Sequence, residues 1–351
     1  MRLCPVMRPC VGLSIEPQRL SLVEVGASWL QSRRPRSWVN RIRHWGEHTL
    51  HDRLGNVAMT QPLDVSSLVA ALRDLRGSRR HLPPTAVSLS DLYGHVALIE
   101  FDTIPPKKTD FERVLRWRLE RELNVGLATT QLAYRLFHHA SGTGKPATWV
   151  MAAAIETRMM EFYEEACLQA GLFPVNVGLN SFHLFEFWRP MMQQMLAQQA
   201  CEASLIDECF FVHTTDWGLV FFALRFGCPV FIRIKPCFMR CNAGSDPSPS
   251  YDHPAALNHE LIATLQFYAE RITNATLRDL RPLFLAGTAH DFERPGPNGS
   301  GLLDLDRLLP WKVALLPLNR EALLNKVPGP EGGQVGAFPM TALPALAALA
   351  G

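Results

Sequence analysis

The chain has 351 residues and a mass of 39.3 kDa, is 47% hydrophobic and 19% charged, and carries a formal net charge of +2. That is chain enough for about two domains and for a core that needs neither disulfides nor metal. It excludes a disordered tail protein, a collagen-like repeat and a small disulfide scaffold, and the whole-chain charge does not point to nucleic acid.

Residues 11–15 and 20–25 are strand-like runs around the turn-rich Glu16-Pro17-Gln18-Arg19, which predicts a β-hairpin at the start of the fold. An arginine-rich stretch follows (Arg33, Arg34, Arg36, Arg41, Arg43), so that residues 1–100 hold 13 arginines against eight acidic side chains and one end is modestly basic. Leu68, Leu72 and Leu75 mark a helix over 66–76. Residues 86–89 and 96–101 are strands. Thr109-Asp110-Phe111-Glu112 spells a capping box, in which hydroxyl and carboxylate satisfy the first N–H groups of a helix. That helix runs to about 123 with Phe111, Val114, Leu115 and Leu119 on one face. Strands at 131–138 and 148–154 flank a turn at 140–146, and a helix over 157–170 closes at Gly171, a natural C′ glycine. The segment 95–171 thus reads as a compact α+β unit set inside a larger chain.

A strand at 173–177 and a helix from Asn180 lead to a second hairpin set. It comprises 210–214, an Asp216-Trp217-Gly218 turn, 219–224 and 230–234. A Ser/Pro/Gly/Asp loop at 242–254 precedes a helix carrying Leu257, Leu261, Leu265, Tyr268 and Ile272 on one side. A strand at 283–286 ends at Gly287, and 292–301 and 328–334 are loops. The hairpin motif occurs twice, near 11–25 and 210–234, which implies a duplicated α/β architecture with a cleft between its halves.

The N-terminal residues show no apolar core followed by a small-residue cleavage site, so no signal peptide is expected. No apolar run approaches the length of about 18 residues that spans a bilayer. The eight cysteines lack repeated pair spacing, and the expectation is a soluble cytoplasmic protein with reduced thiols.

Taken in order, VGLSIEPQRLSLVEV, AVSLSDLYGHVALIEFDTIPPKKTDFERVLRWRLERELNV, MAAAIETRMMEFYEEACLQAGLFPVNVGLNSFHLFEFW, GCPVFIRIKP, LIATLQFYAERI and LFLAGTAH resemble the PilM family of type IV pilus assembly proteins and the related FtsA. The resemblance rests on the first hairpin, a proline-bearing turn before a helix with Arg116-Trp117 at its middle, an Ala-Gly-Leu-x-Pro corner and the glycine-ended strand at 283–287. It covers nearly the whole chain. It implies an actin-like α/β fold, shared with actin and the heat-shock-chaperone ATPases, of two duplicated ribonuclease H-like domains. A small inserted α+β subdomain completes that fold. The division expected is 1–94 for the first half, 95–171 for the insertion, 172–200 for the return to the first half, 201–325 for the second half and 326–351 for a C-terminal loop and helix. It further implies a cytoplasmic scaffold at the inner membrane of a pilus, or of a type II-like secretion platform. Such a scaffold touches the membrane only through a PilN-like single-pass partner, whose N-terminal peptide it grips beside the insertion. Other platform proteins are expected partners and nucleic acid is not.

The family's cleft holds ATP and Mg²⁺ between two hairpin turns of Asp-x-Gly type. There the Asp orders the waters of the metal, and the glycine lets backbone N–H groups approach the phosphates. In the first hairpin Ser14 stands at the Asp position and Glu16 at the Gly position, with Pro17 lacking an N–H and Gln18 following. In the second, a gapless alignment places His213 and Thr215 there, with Gly218 completing the turn, whereas a gapped one uses Asp207 and Cys209. The base-side motif is reduced to Ala286-Gly287-Thr288. With these motifs degraded, the expectation is a pseudo-ATPase with no assigned catalytic residue, metal or cofactor. The competing expectation is an active ATP-dependent kinase or ATPase using Asp207, Asp216 or Glu16; an FtsA-like polymer is disfavoured because PMTALPALAALAG has no basic amphipathic tail.

Four other motifs are read as structural. Ser141-Gly142-Thr143-Gly144-Lys145 lacks the full phosphate-loop spacing and is followed by Pro146. His44, His48 and His51 have helical metal spacing but sit in a strand-like run with Gly46. Cys228, Cys237 and Cys241 have no second finger pair. The arginines of 33–43, with Trp38 and Trp45 interleaved, read as a solvated strand edge rather than a lipid or nucleic-acid contact. On the helix over 111–123, Arg113, Arg116 and Trp117 are the candidates for contact with a partner peptide, because the family's groove borders the insertion.

Overall fold

The computed structural model describes residues 9–17, 19–26, 42–50, 65–77, 84–139, 147–199, 208–215, 217–236, 253–271, 281–287, 313–318 and 342–349. Gln18, Thr288, Asp207, Asp216, His51, Cys237, Cys241, the arginines at 33–41 and the 140–146 turn lie outside them.

Two five-stranded sheets share one connectivity. In the first, β1 (Val11–Glu16) and β2 (Arg19–Val25) form the predicted hairpin, β3 (Ile42–Thr49) extends it, helix α1 (Val65–Arg76) crosses over, and β4 (Pro84–Leu89) returns parallel to β1. A later strand, β8 (Phe173–Leu179), completes the order β3-β2-β1-β4-β8. The second sheet repeats it as β11-β10-β9-β12-β13, from β9 (Glu208–Thr215), β10 (Gly218–Arg225), β11 (Cys228–Pro236), β12 (Arg281–Gly287) and β13 (Val313–Pro317). Helix α5 (His253–Arg271) takes the place of α1. Hairpin then parallel crossover, twice over, is the duplication expected from the repeated strand pattern.

Alternation along the strands gives each sheet two buried faces. The outward face of the first sheet sets Val11, Leu13, Ile15, Leu20 and Leu22 against Leu68, Leu72 and Leu75 of α1. Helix α3 (Thr157–Gln169) adds Met160, Tyr163, Ala166 and Cys167 to the same cluster. The outward face of the second sets Phe210, Val212, Leu219 and Phe221 against Leu257, Leu261, Leu265 and Tyr268 of α5. The inward faces share one core. Helix α4 (Asn180–Gln199) brings Phe185 and Trp188 to Phe211 and Phe222, with the Phe185 and Phe222 rings stacked at 5.1 Å. The C-terminal helix α6 (Leu343–Ala348), buried throughout, joins the same core and packs against β1, β4 and α4. The last helix in the chain therefore closes the first half.

Between β4 and β8 the chain builds a third sheet, β5 (Gly94–Phe101), β7 (Ala147–Glu156) and β6 (Thr130–His139), antiparallel in the order β5-β7-β6. Helix α2 (Lys108–Leu123) covers one of its faces with Phe111, Leu115 and Leu119. Helix α3, within the 95–171 stretch, packs with α1 on the first sheet and also meets Ala153 and Ile155 of β7 in the same cluster. The capping box expected at Thr109 does not form. The helix begins one residue earlier, Lys107 precedes it with no side-chain cap, and Thr109 lies inside the first turn. Glu112 instead faces Lys108 at 3.7 Å and accepts from the Tyr134 hydroxyl at 3.4 Å. At the other helix end the sequence reading holds. Gly171 has φ +78°, and the Leu172 N–H reaches back to the Cys167 carbonyl at 2.8 Å.

Candidate functional site

A cavity of about 360 Å³ opens between the inserted sheet and the first half. One wall is residues 131–135 of β6 and the other is residues 176–179 of β8. Among the described residues both are edge strands, β6 paired only with β7 and β8 only with β4. An edge strand presents a row of backbone N–H and C=O groups to whatever lies beside it, so the cavity is flanked by two templates for an extended chain. Its floor is apolar, made by Met151, Ala153 and Ile155 of β7, Met160 of α3 and Phe182 of α4.

The polar groups gather on α4. Glu186 meets Arg135 at 2.6 Å and Arg189 at 3.7 Å, so two guanidiniums face one carboxylate at that end of the cavity. Burial raises the Glu186 pKa, and the two arginines act against that rise. His183, one turn earlier, lines the cavity and is almost fully buried. Desolvation of its cationic form lowers its pKa to about 4, which keeps the ring neutral at pH 7.

From His183 a chain of buried hydrogen bonds leads away from the cavity. His183 Nδ1 lies 2.9 Å from Ser88 Oγ at the end of β4; Ser88 Oγ donates to Asn180 Oδ1 at 2.6 Å; Asn180 Nδ2 donates to Glu16 Oε1 at 3.0 Å. The start of α4 is further held by Asp91, which accepts from the Ser181 N–H at 3.1 Å and from its hydroxyl at 2.5 Å. Burial pushes the Asp91 pKa up to about 6, against the pull of these Ser181 bonds.

The hairpin turns named from sequence lie elsewhere, on the inward faces of the two sheets. The closing pairs are Glu16 with Arg19 and Thr215 with Gly218. Counting back from them puts His213 at the place of Ser14 and Thr215 at that of Glu16. This is the gapless register; Cys209 lies at the far end of β9. Ser14 Oγ and His213 Nδ1 are both buried with no hydrogen-bond partner among the described residues, and desolvation lowers the His213 pKa to about 3. Thr215 Oγ1 donates to the Gly218 carbonyl at 3.2 Å, and Gly287 ends β12 beside Thr214.

None of the three residues expected at a partner groove lines the cavity. Arg113 pairs with Asp110 at 3.0 Å. Arg116 donates to the Leu127 carbonyl, to Thr130 Oγ1 at 3.0 Å and to the Thr130 carbonyl at 3.2 Å, and so ties α2 to the start of β6. Trp117 is 54% exposed, with Arg121 over its ring at 5.1 Å. All three sit on α2, whereas the cavity opens beside β6. His183 and Glu186 lie in a quoted segment of the resemblance, yet only the fold turns them toward β6. His44 and His48 sit on β3, as the strand-like reading had it.

No protein-family model matches the chain, and no curated protein matches it in sequence. Among solved structures it is similar to a chain of a PilM-PilN type IV pilus biogenesis complex, with a TM-score of 0.65 at 18% identity, over 98% of this chain and 99% of that one. The fold is actin-like. More distant resemblances are to a Bacteroides thetaiotaomicron protein of actin-like ATPase fold and unknown function (TM-score 0.46, 8% identity, 89% of this chain and 91% of that one) and to the ethanolamine utilization protein EutJ from Carboxydothermus hydrogenoformans (TM-score 0.43, 12% identity, 99% and 91%). The three-stranded sheet with α2 lies between β4 and β8 in the chain, and the cavity lies where that sheet meets the first half. Among the described residues no helix is long and apolar enough to cross a membrane.

Proposed function

We propose that the chain is a cytoplasmic scaffold of a type IV pilus or type II-like secretion platform, and that it holds the N-terminal peptide of a PilN-like single-pass membrane protein between β6 and β8. The observation that carries this reading is the cavity flanked by two edge strands, in a chain similar end to end to one from a PilM-PilN complex. Main-chain hydrogen bonds to either edge supply affinity without sequence demand; the apolar floor selects alternate side chains. The membrane is reached through the partner, and several copies in one platform make a modest single interface sufficient.

Binding of a fluorescent synthetic peptide spanning the partner's N-terminal cytoplasmic segment tests the reading. Ala133 is exposed on β6 and faces the cavity, so Ala133→Arg fills the groove without touching a core. Saturable binding lost in that variant is expected. No binding to the wild-type chain, or binding indifferent to Ala133→Arg, overturns the proposal.

The same reading makes the protein a pseudo-ATPase. The side chains at the hairpin turns do not suit a magnesium triphosphate. The deep positions offer a hydroxyl and a neutral imidazole where a carboxylate would order the metal's waters, and Glu16 puts negative charge where phosphate would lie. A thermal-shift titration with ATP and ADP, with and without Mg²⁺, is expected to be flat. A rise in Tm with nucleotide concentration would mark native-state binding and return a switch mechanism.

A further inference from the structure

The hydrogen bonds between His183 and Glu16 have a direction, and one end fixes it. A carboxylate only accepts, so Glu16 requires Asn180 to present its Nδ2. The Asn180 amide is thereby oriented with Oδ1 toward Ser88, whose hydroxyl must spend its single proton on that oxygen at 2.6 Å. With its proton committed, Ser88 Oγ can only accept from the ring 2.9 Å away, so His183 carries its proton on Nδ1. Nε2 is left with a lone pair and with no hydrogen bond among the described residues. It stands against the backbone of Gly178 on β8, where an added Cβ would lie 2.7 Å from it, and both residues line the cavity.

We infer that His183 Nε2 is the polar reading point of the groove, an acceptor that selects an occupant presenting an N–H or O–H donor at that place, and that Glu16 at the β1–β2 turn sets this polarity through Asn180 and Ser88. The inference rests on the peptide-groove reading and names the recognition chemistry within it. It also connects two regions of the actin-like fold, the groove beside the insertion and the first hairpin turn, through three bonds whose inner members are fully buried. His183 here is a specificity residue, and Glu16, Asn180 and Ser88 position it. The pKa lowered by burial is consistent with a ring that stays neutral and so keeps one acceptor nitrogen.

Glu16→Lys is the variant that decides it. An ammonium only donates, so Asn180 must turn Oδ1 toward it and Nδ2 toward Ser88, Ser88 must donate to Nδ1, and the ring proton moves to Nε2. In protein labelled with ¹⁵N-histidine, the His183 resonances, assigned by their loss in His183→Gln, should report an Nδ1–H ring in the wild type and an Nε2–H ring in Glu16→Lys. The partner peptide should then bind about tenfold more weakly, because two donors meet where donor met acceptor. Glu16→Ala, which leaves Asn180 undirected, should give a mixture of tautomers and a smaller loss. Peptide binding that fails in the wild type, or ignores Ala133→Arg, overturns the groove itself. Binding that obeys Ala133→Arg while either the tautomer or the affinity ignores Glu16→Lys keeps the groove and overturns this inference.

Discussion

Replacing Gly12 with alanine is expected to detach the C-terminal helix from the molecule. Gly12 is the second residue of β1, between the buried Val11 and Leu13, and its α-hydrogen face looks at α6. A Cβ at this position would lie 1.7 Å from the Ala345 carbonyl oxygen and 2.7 Å from its carbon. Both are backbone atoms of a buried helix, so no rotamer change relieves the clash, and either β1 or α6 must move. Strand β1 is central in its sheet, paired on both sides, which leaves α6 to give way. Overpacking in a rigid core costs about 1–3 kcal/mol; loss of a helix buried along its whole length adds to that, so a fall in unfolding free energy above about 3 kcal/mol is expected in urea. Hydrogen exchange should show the loss of protection concentrated at 343–349. In a chain ending at residue 341 the same substitution should cost little further, since its clash partner is gone. Equal costs in the two chains would show that β1, not the helix, bears the strain.

That contact shows where sequence reading stops. A glycine inside an apolar strand signals a close backbone approach, but what approaches comes from the opposite end of the chain. The hairpins were legible because alternating apolar runs and turn residues are adjacent in sequence, and the same holds for the helix ended by Gly171. The repeated strand order followed from the duplicated pattern. The failures share a cause. The Thr109 motif has the letters of a capping box, but its glutamate is engaged by Lys108 and Tyr134, the latter on a strand that sequence does not place beside it. Arg116 stood out as a charge on a helix face, and the fold uses it to tie α2 to β6. The cavity between β6 and β8 was the least legible feature of all. That β6 and β8 are edges depends on which strands do not pair, and unpaired sides leave no mark on a local pattern of residues.

Acid should destabilise the protein over a defined window, with two buried histidines setting the sign. His183 and His213 have pKa values lowered by burial from 6.5 to about 4 and about 3. Below pH 6.5 the unfolded chain takes up protons that the folded one refuses, so their stabilisation, complete above 6.5, is lost as the pH falls toward those values. Asp91 opposes them. Its pKa is raised from 3.8 to about 6, so the cost of burying its charge, fully present above 6, is relieved as the pH falls from 6 toward 3.8. Between pH 6 and 4 the two histidine protons therefore favour the unfolded chain, while Asp91 and Glu186, the latter's pKa also raised by burial, favour the folded one, and each proton is worth about 1.4 kcal/mol per pH unit. Unfolding free energy should drop from pH 6.5 to 4 by at most about 3 kcal/mol, the figure for the two histidines and Asp91 before Glu186 reduces it, read from urea midpoints at constant m. Two variants move the slope in opposite directions. His213→Leu places an apolar side chain where Nδ1 has no partner and removes one histidine, so the profile between 6 and 4 should flatten. Asp91→Asn removes the opposing group and keeps an acceptor for Ser181, so the profile should steepen by one proton. A profile flat below pH 6 in the wild type and unchanged in His213→Leu would mean that His213 is reached by water in the folded state, and the inward face of the second sheet would then be a wet site rather than part of the shared core.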